Sequence, residues 1–418
     1  MSELTSAPAP ARAHWTLLAA FCAIWSGLVL TEFITDSILP LTLARFLENA
    51  GYIGMILATK PLFGFLAQPL IGIWSDHIWT PLGRRALFLL VCAPIVALCL
   101  WLVPQLTMLW TLVVVVVAYQ FFQDVSWGSD HPLMADLVPV HLRTFLMGLI
   151  MTTSQILGFL FLKFGMGVLL PRYGEIALYR IAATAQILLV MAGALALKES
   201  PPVPKTRPKL TLGRYFRDFL GDPILRKFAL LAFFQGLSKF VVLGYIVLFA
   251  VKTAGIAQAD FGASWSWFSV AALCTALPAG VLVERIWPKQ ISLVIGYTSV
   301  FAGCVWGLFS HAPWEIAGIG AILGFGHSLI EITQKPFFTE YLPKDIIGQL
   351  SGAYNVCFAT GRTLAMVGGG WLIQLCGNNY RLIWVVALVT GVVTLIVAAS
   401  IPDHRYSARK QAGLSPST

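Results

Sequence analysis

The 418 residues are 58% hydrophobic and 11% charged, with a formal net charge of +9; a soluble domain carries about 25% charged residues. So much apolar surface cannot be hidden behind so few charges, so the composition calls for a polytopic all-α membrane protein. The positive balance reads as orientation in a bilayer rather than as nucleic-acid binding.

The N-terminal stretch MSELTSAPAPARAHW has no basic n-region followed by a short apolar run and a cleavage site, so the first membrane segment is expected to be retained. A helix needs about 20 apolar residues to cross the hydrocarbon core. Twelve such segments are predicted, at 15–37, 52–75, 86–104, 107–129, 144–170, 176–197, 227–252, 262–284, 290–310, 313–334, 348–376 and 379–401. Cysteines 22, 92, 99, 274, 304, 357 and 376 are scattered through these stretches without CxxC pairing, which argues against a zinc site or a disulfide framework.

One long polar connection interrupts the series, KESPPVPKTRPKLTLGRYFRDFLGDPILRK, and it holds eight of the 28 Lys and Arg. It divides the chain into a tail at 1–14, a six-helix half at 15–197, a basic linker at 198–226, a second half at 227–401 and a tail at 402–418. The loops on the linker's side, with both termini, carry 19 Lys and Arg, against five (Arg45, Arg172, Arg180, Lys252 and Arg381) on the other. That asymmetry places both termini in the cytoplasm. The halves also repeat: HPLMADLVPVHLRTFLMG (131–148) aligns without a gap to KPFFTEYLPKDIIGQLSG (335–352), so that Asp136 meets Glu340 and Gly148 meets Gly352. A duplicated unit implies a solute site between the repeats.

Between the second and third segments the apolar run breaks at IGIWSDHIWTPLGRR, residues 71–85. A helix end at Asp76 followed by arginines at a new helix start is what a cytoplasmic membrane boundary requires. The whole pattern, Gly72-x-x-x-Asp76 and then Gly83-Arg84-Arg85, resembles the signature loop of the major facilitator superfamily, with a degraded copy at Gly280-x-x-x-Glu284-Arg285. Six residues separate the Asp from the Gly, as in the glycoside–pentoside–hexuronide:cation symporters. QPLIGIWSDHIWTPLGRR and PLMADLVP are most similar to the branch of plant sucrose:proton symporters and animal proton-associated sugar transporters. The chain departs from that branch at His131, where an Arg is usual, which leaves the sugar specificity open. The resemblance implies two pseudo-symmetric six-helix halves and a gating role for Gly72, Asp76, Gly83, Arg84, Arg85, Asp136 and Glu340.

A charge at mid-bilayer costs about 2.5–3.5 kcal/mol even on insertion scales, so each needs a partner or a task. Glu32 and Asp36 share a face of the first segment, Gln123 and Asp124 lie in the fourth, Gln235 and Lys239 in the seventh, and His327 and Glu331 in the tenth. The resemblance implies that these four segments line the central cavity. Asp124, Glu32, Asp36, Glu331 and His327 are therefore candidates for ion coupling, with Asp124 or Glu32 first and Glu331 next. Gln123, Trp127, Gln235, Lys239, Phe233 and Phe234 are candidates for solute binding, because an aromatic face beside amide and charged groups suits a sugar. Arg362 is expected to pair with Glu331 or Glu340. A plainer reading stands beside each: Asp36 near the outer surface, Lys239 as a fixed counter-charge, His327 as a hydrogen-bonded core residue, and the aromatics as packing.

No phosphate loop, HExxH or GxSxG motif is present, so neither an ATP-driven step nor an enzyme is expected, and no cofactor or metal. The expected function is transport of a small polar solute, a sugar or glycoside, by a monomer in the cell or inner membrane, driven by H⁺ or Na⁺ symport. A transporter or exporter of another small organic molecule, anionic ones included, and a non-transporting membrane assembly or receptor protein are the alternatives.

Overall fold

The structure, a computed structural model, describes residues 11–75, 79–199, 219–285, 287–342 and 347–402. Among these are twelve long helices: α1 (Ala11–Ser37), α2 (Ala50–Ser75), α3 (Ala86–Leu102), α4 (Leu109–Leu137), α5 (Val140–Leu160), α6 (Leu170–Ala196), α7 (Pro223–Leu248), α8 (Gln258–Arg285), α9 (Lys289–Phe309), α10 (Pro313–Glu340), α11 (Ile347–Leu375) and α12 (Leu382–Ser400). Helix is the form in which an apolar segment satisfies its own backbone in lipid. The shortest, α3, is lengthened by a 3₁₀ turn at Val103–Gln105. The all-helical, twelve-helix expectation holds.

The boundaries shift for physical reasons. Helix α4 runs past the apolar stretch to Leu137 and α10 to Glu340, because interfacial polar side chains continue a helix as readily as apolar ones. Asp130, which the sequence places near the helix end at the cytoplasmic mouth, is thus two turns inside α4 and fully buried. Helix α7 starts at Pro223, where Asp222 Oδ1 accepts from the backbone N–H of Ile224 (2.7 Å) and Leu225 (2.9 Å), an N-cap followed by proline at the first helical position. The fifth and sixth segments are joined by a π-helical stretch, Phe161–Leu169, and the chain turns at Gly174, where φ is 76°.

The chain forms two compact units. The first comprises Met1–Glu32, Leu66–Leu157 and Tyr179–Pro204; the second comprises Phe33–Phe65, Gly158–Leu178 and Lys205–Thr418. In the first, α3 packs on α4, and Phe21, Ile24 and Leu28 of α1 join Val190 of α6 and Leu146 and Ile150 of α5 in one core. In the second, α10 packs against α8 and α9, and α7 against α11 and α12. The α7–α11 contact is backbone to backbone: a Cβ on Gly361 would collide with the carbonyl oxygen of Phe233, and one on Gly236 with that of Phe358.

Candidate functional site

Helix α7 turns Gln235, Ser238, Lys239 and Val242 to one side, the i, i+3, i+4, i+7 spacing of a single helical face. They form one wall of a partly open cavity within the second unit. The facing wall is aromatic. Trp265 and Phe268 of α8 stack with ring centroids 5.5 Å apart and planes 18° from parallel, and the His327 imidazole continues the series 5.7 Å beyond Phe268. Tyr297 of α9 also lines the cavity.

Lys239 and His327 line the cavity, and Glu331 joins them in a cluster of three ionisable groups. Lys239 Nζ lies 2.9 Å from His327 Nε2 and 3.3 Å from Glu331 Oε1, and His327 Nε2 lies 3.7 Å from the same oxygen. With the ammonium donating at 2.9 Å, Nε2 acts as the acceptor and the imidazole carries its proton on Nδ1. Glu331 is the most open of the three at 36% side-chain exposure, against 22% for Lys239 and 20% for His327. Lys335, one turn further along α10, adds a second positive charge on that side.

Other predicted residues are placed differently. Arg362 reaches neither Glu331 nor Glu340. Lys239 holds Glu331, Lys289 holds Glu340 at 2.6 Å, and the Arg362 guanidinium lies over the Phe240 ring, 4.1 Å from its centroid. The Gly236–Gly361 approach presses this part of α11 onto α7, so the ring face is what the guanidinium meets. Phe233 and Phe234 pack edge to face on each other, off the cavity face of α7. The aromatic wall is instead Trp265 and Phe268, which the sequence reading missed among 27 Phe and 14 Trp.

In the first unit, Trp127 Nε1–H donates to Glu32 Oε1 at 2.9 Å, and the Trp127 ring packs edge to face on Trp25, centroids 4.9 Å apart. Gln123, predicted to face solute, is fully buried. Its amide donates to the Leu28 carbonyl at 3.0 Å and to the Thr31 hydroxyl, so it ties α4 to α1. Asp124 is buried, and Asp36 lies half-buried near the end of α1.

Of the signature loop, residues 79–85 are described; Asp76, the environment of Gly72 and the side chains of His131, Glu284 and Arg285 lie outside the described residues. Gly83 has φ 98°, and a Cβ there would lie 2.5 Å from Glu199 Oε1. That oxygen accepts from the backbone N–H of Arg85 (3.0 Å) and Ala86 (2.7 Å), capping the start of α3. Arg84 and Arg85 both donate to Asp136 at the end of α4. Glu199 has no place in the sequence motif, since it reads as part of the linker.

The Major Facilitator Superfamily model matches residues 16–257 and again 228–416, nearly the whole length. The chain belongs to the Major Facilitator Superfamily. It is a multi-pass membrane protein of this transporter superfamily. This superfamily member is 34% identical to mouse proton-associated sugar transporter A over 84 residues, 20% of this chain and 11% of that protein. It is 27% identical to myo-inositol transporter 1 of Saccharomyces cerevisiae over 144 residues, 34% of this chain and 24% of that protein. The chain thus spans under a quarter of these relatives' lengths. Its fold matches a bacterial homolog of the human lysosomal transporter Spinster, in an inward-facing, unoccupied conformation, with a TM-score of 0.69 and 16% identity, covering 94% of this chain and 97% of that one. It matches the nucleoside transporter NupG with a TM-score of 0.68 and 14% identity, covering 92% and 98%.

Proposed function

We propose that this transporter carries a sugar or related polyol by proton-coupled symport, with alternating access and both termini in the cytoplasm. The observation that carries the reading is the Lys239–His327–Glu331 cluster opening on an aromatic-walled cavity. A pyranose or cyclitol offers an apolar face to Trp265 and Phe268 and hydroxyls to Gln235, Ser238 and Lys239. The local likeness to a proton-associated sugar transporter and to a myo-inositol transporter supports the same solute class.

Glu331 is the group we assign to coupling, ahead of Asp124 and Glu32. Ionised, it binds the Lys239 ammonium, which His327 Nε2 also accepts from; protonated, it loses the Coulomb attraction and releases the ammonium to an acceptor on the solute. Proton binding and solute binding then favour one another through a single lysine. Glu32, held by the Trp127 indole, and Asp36 and Asp124 are secondary candidates.

The test is uptake of labelled sugars, cyclitols and organic acids into reconstituted vesicles, with and without an inward proton gradient, for the wild type, Glu331→Gln and Asp124→Asn. Gradient-driven accumulation that Glu331→Gln abolishes supports the reading. Accumulation that survives Glu331→Gln but not Asp124→Asn moves coupling to α4, and accumulation that follows Na⁺ alone overturns proton coupling.

One observation favours a second reading. Arg362 and Lys239 share the Phe240 ring, at 4.1 and 5.5 Å from its centroid, and among the described residues Arg362 makes no ion pair. Two cations against one anion would suit an organic acid, which competition by organic acids against sugars decides.

A further inference from the structure

The polar group that the cavity offers at Gln235 is set by residues behind it. Gln235 Oε1 accepts from Gln334 Nε2 at 2.8 Å, and Gln334 gives its second N–H to Tyr354 Oη at 2.6 Å. Gln334 Oε1 in turn accepts from Tyr297 Oη at 2.6 Å. The four side chains come from α7, α9, α10 and α11 and are buried, with Gln334 at 1% exposure. As arranged, the Gln334 amide is spent on both donors and on its oxygen. Gln235 has its oxygen consumed on the protein side, and among the described residues its Nε2 has no partner while the residue lines the cavity.

We infer that Gln334, joined to Tyr297 and Tyr354 in one buried hydrogen-bonded network, is a positioning residue that turns the Gln235 amide so that the cavity presents an N–H donor and reads a hydrogen-bond acceptor on the solute. The inference rests on the sugar reading for its solute, and it adds the polarity of the contact. Lys239 is also a donor without acceptor capacity, so two neighbouring positions on the α7 face ask for lone pairs on the solute. A hydroxyl supplies them, and so does a fluorine in its place, more weakly; a C–H does not. An amide turned the other way would present Oε1 and demand a hydroxyl proton, which neither fluorine nor hydrogen provides.

The experiment is vesicle uptake of the transported sugar and of its deoxy and deoxyfluoro analogues at each ring position, by wild type, Gln235→Leu, Gln334→Leu and Tyr297→Phe. At one ring position the deoxyfluoro analogue should keep KM within about twofold of the parent while the deoxy analogue raises it about three- to tenfold, the worth of one neutral hydrogen bond. Gln235→Leu should equalise the analogues. Gln334→Leu, which frees the amide to turn, should narrow the gap with maximal rate retained. Tyr297→Phe, which removes one hydroxyl and keeps the ring, should narrow it in the same direction even if Gln334→Leu fails to fold.

Equal losses for deoxy and deoxyfluoro analogues at every position in the wild type overturn the inference, as does discrimination that persists in Gln235→Leu. If the vesicles take up an organic acid and no sugar, the solute reading falls by itself. The donor inference then requires Gln235→Leu to raise KM for that acid about three- to tenfold, and an unchanged KM overturns it. Uptake of neither class overturns both.

Discussion

Arg85 donates to the carboxylate of Asp136 across 51 residues of chain, and 204 residues further on Lys289 donates to Glu340 across the same 51. The first pair ties the start of α3 to the end of α4; the second ties the start of α9 to the end of α10. Each lies within one compact unit. The Asp136–Glu340 equivalence is visible in the aligned segments, whereas the basic partner is not. The copied motif points to Arg285, but the second loop is four residues shorter, so Lys289 stands where Arg85 does. Both basic residues are buried, at 5% and 9% exposure, so each pair exceeds a solvated surface bridge. Glu340→Gln should destabilise the purified protein by about 1–3 kcal/mol, the range for a hydrogen bond to a charged group. The exchange of both residues, Lys289→Glu with Glu340→Lys, should recover more than half of that in thermal unfolding. If the exchange is worse than either single change, the pair is not a local strut.

Glu331 and Lys239 give a stability prediction separate from transport. The pair is half-buried, so removing one member leaves an uncompensated charge at a cost below the about 3–5 kcal/mol of a fully buried pair, while replacing both with apolar groups is often neutral. Lys239→Met should therefore lower thermal stability more than Lys239→Met with Glu331→Leu, although neither drives accumulation. Glu331→Gln keeps the shape and should retain solute exchange at equal concentrations on both sides. Equal stability of the single and double variants would show that Lys239 and Glu331 are not coupled.

How much of this was legible follows from what each feature depends on. The twelve helices follow from apolar length, and the depth and i, i+4 spacing of His327 and Glu331 place them one above the other before any tertiary contact is known. Lys239 shares a predicted face with Gln235, and that face is the cavity wall. Partner choice is different, because it depends on helix rotation and approach. The expected pairing of Arg362 with Glu331 or Glu340 takes no account of the Gly236–Gly361 contact that sends Arg362 to Phe240. Gln334 and Tyr297 are ordinary polar residues in apolar helices, and only their juxtaposition with Gln235 gives them a role.

Glu199 supplies a prediction in the signature loop. Its Oε1 receives two backbone N–H groups at the start of α3, and Gly83 lets the chain come close enough for that. Loss of a capping side chain costs about 0.5–2 kcal/mol. Glu199→Ala should fall in that range and Glu199→Gln should lose less, since the amide oxygen still accepts. Gly83→Ala should be worse than either, combining a positive φ with a methyl 2.5 Å from the cap. An unfolding temperature for Gly83→Ala above that of Glu199→Ala would show that the loop relaxes without loss.

The last prediction contrasts two glycines. Gly361 of α11 faces the Phe233 carbonyl so closely that a methyl must push α7 away, and Leu237 N is only 3.1 Å from the same point. Gly148 of α5, by contrast, has nothing within 4 Å of a Cβ. Gly361→Ala should destabilise by about 1–3 kcal/mol, as overpacking does. Because α7 carries Gln235 and Lys239, it should also raise KM for solute. Gly148→Ala should be neutral or stabilising by up to about 1 kcal/mol, the difference in helix propensity. Gly148 meets Gly352 in the aligned segments, so if its smallness served the repeat rather than its own helix, Gly148→Ala would lower transport without lowering stability. Parallel thermal unfolding and uptake measurements on the two variants separate these outcomes, and equal losses of stability would refute the assignment of the α7–α11 contact as the tighter one.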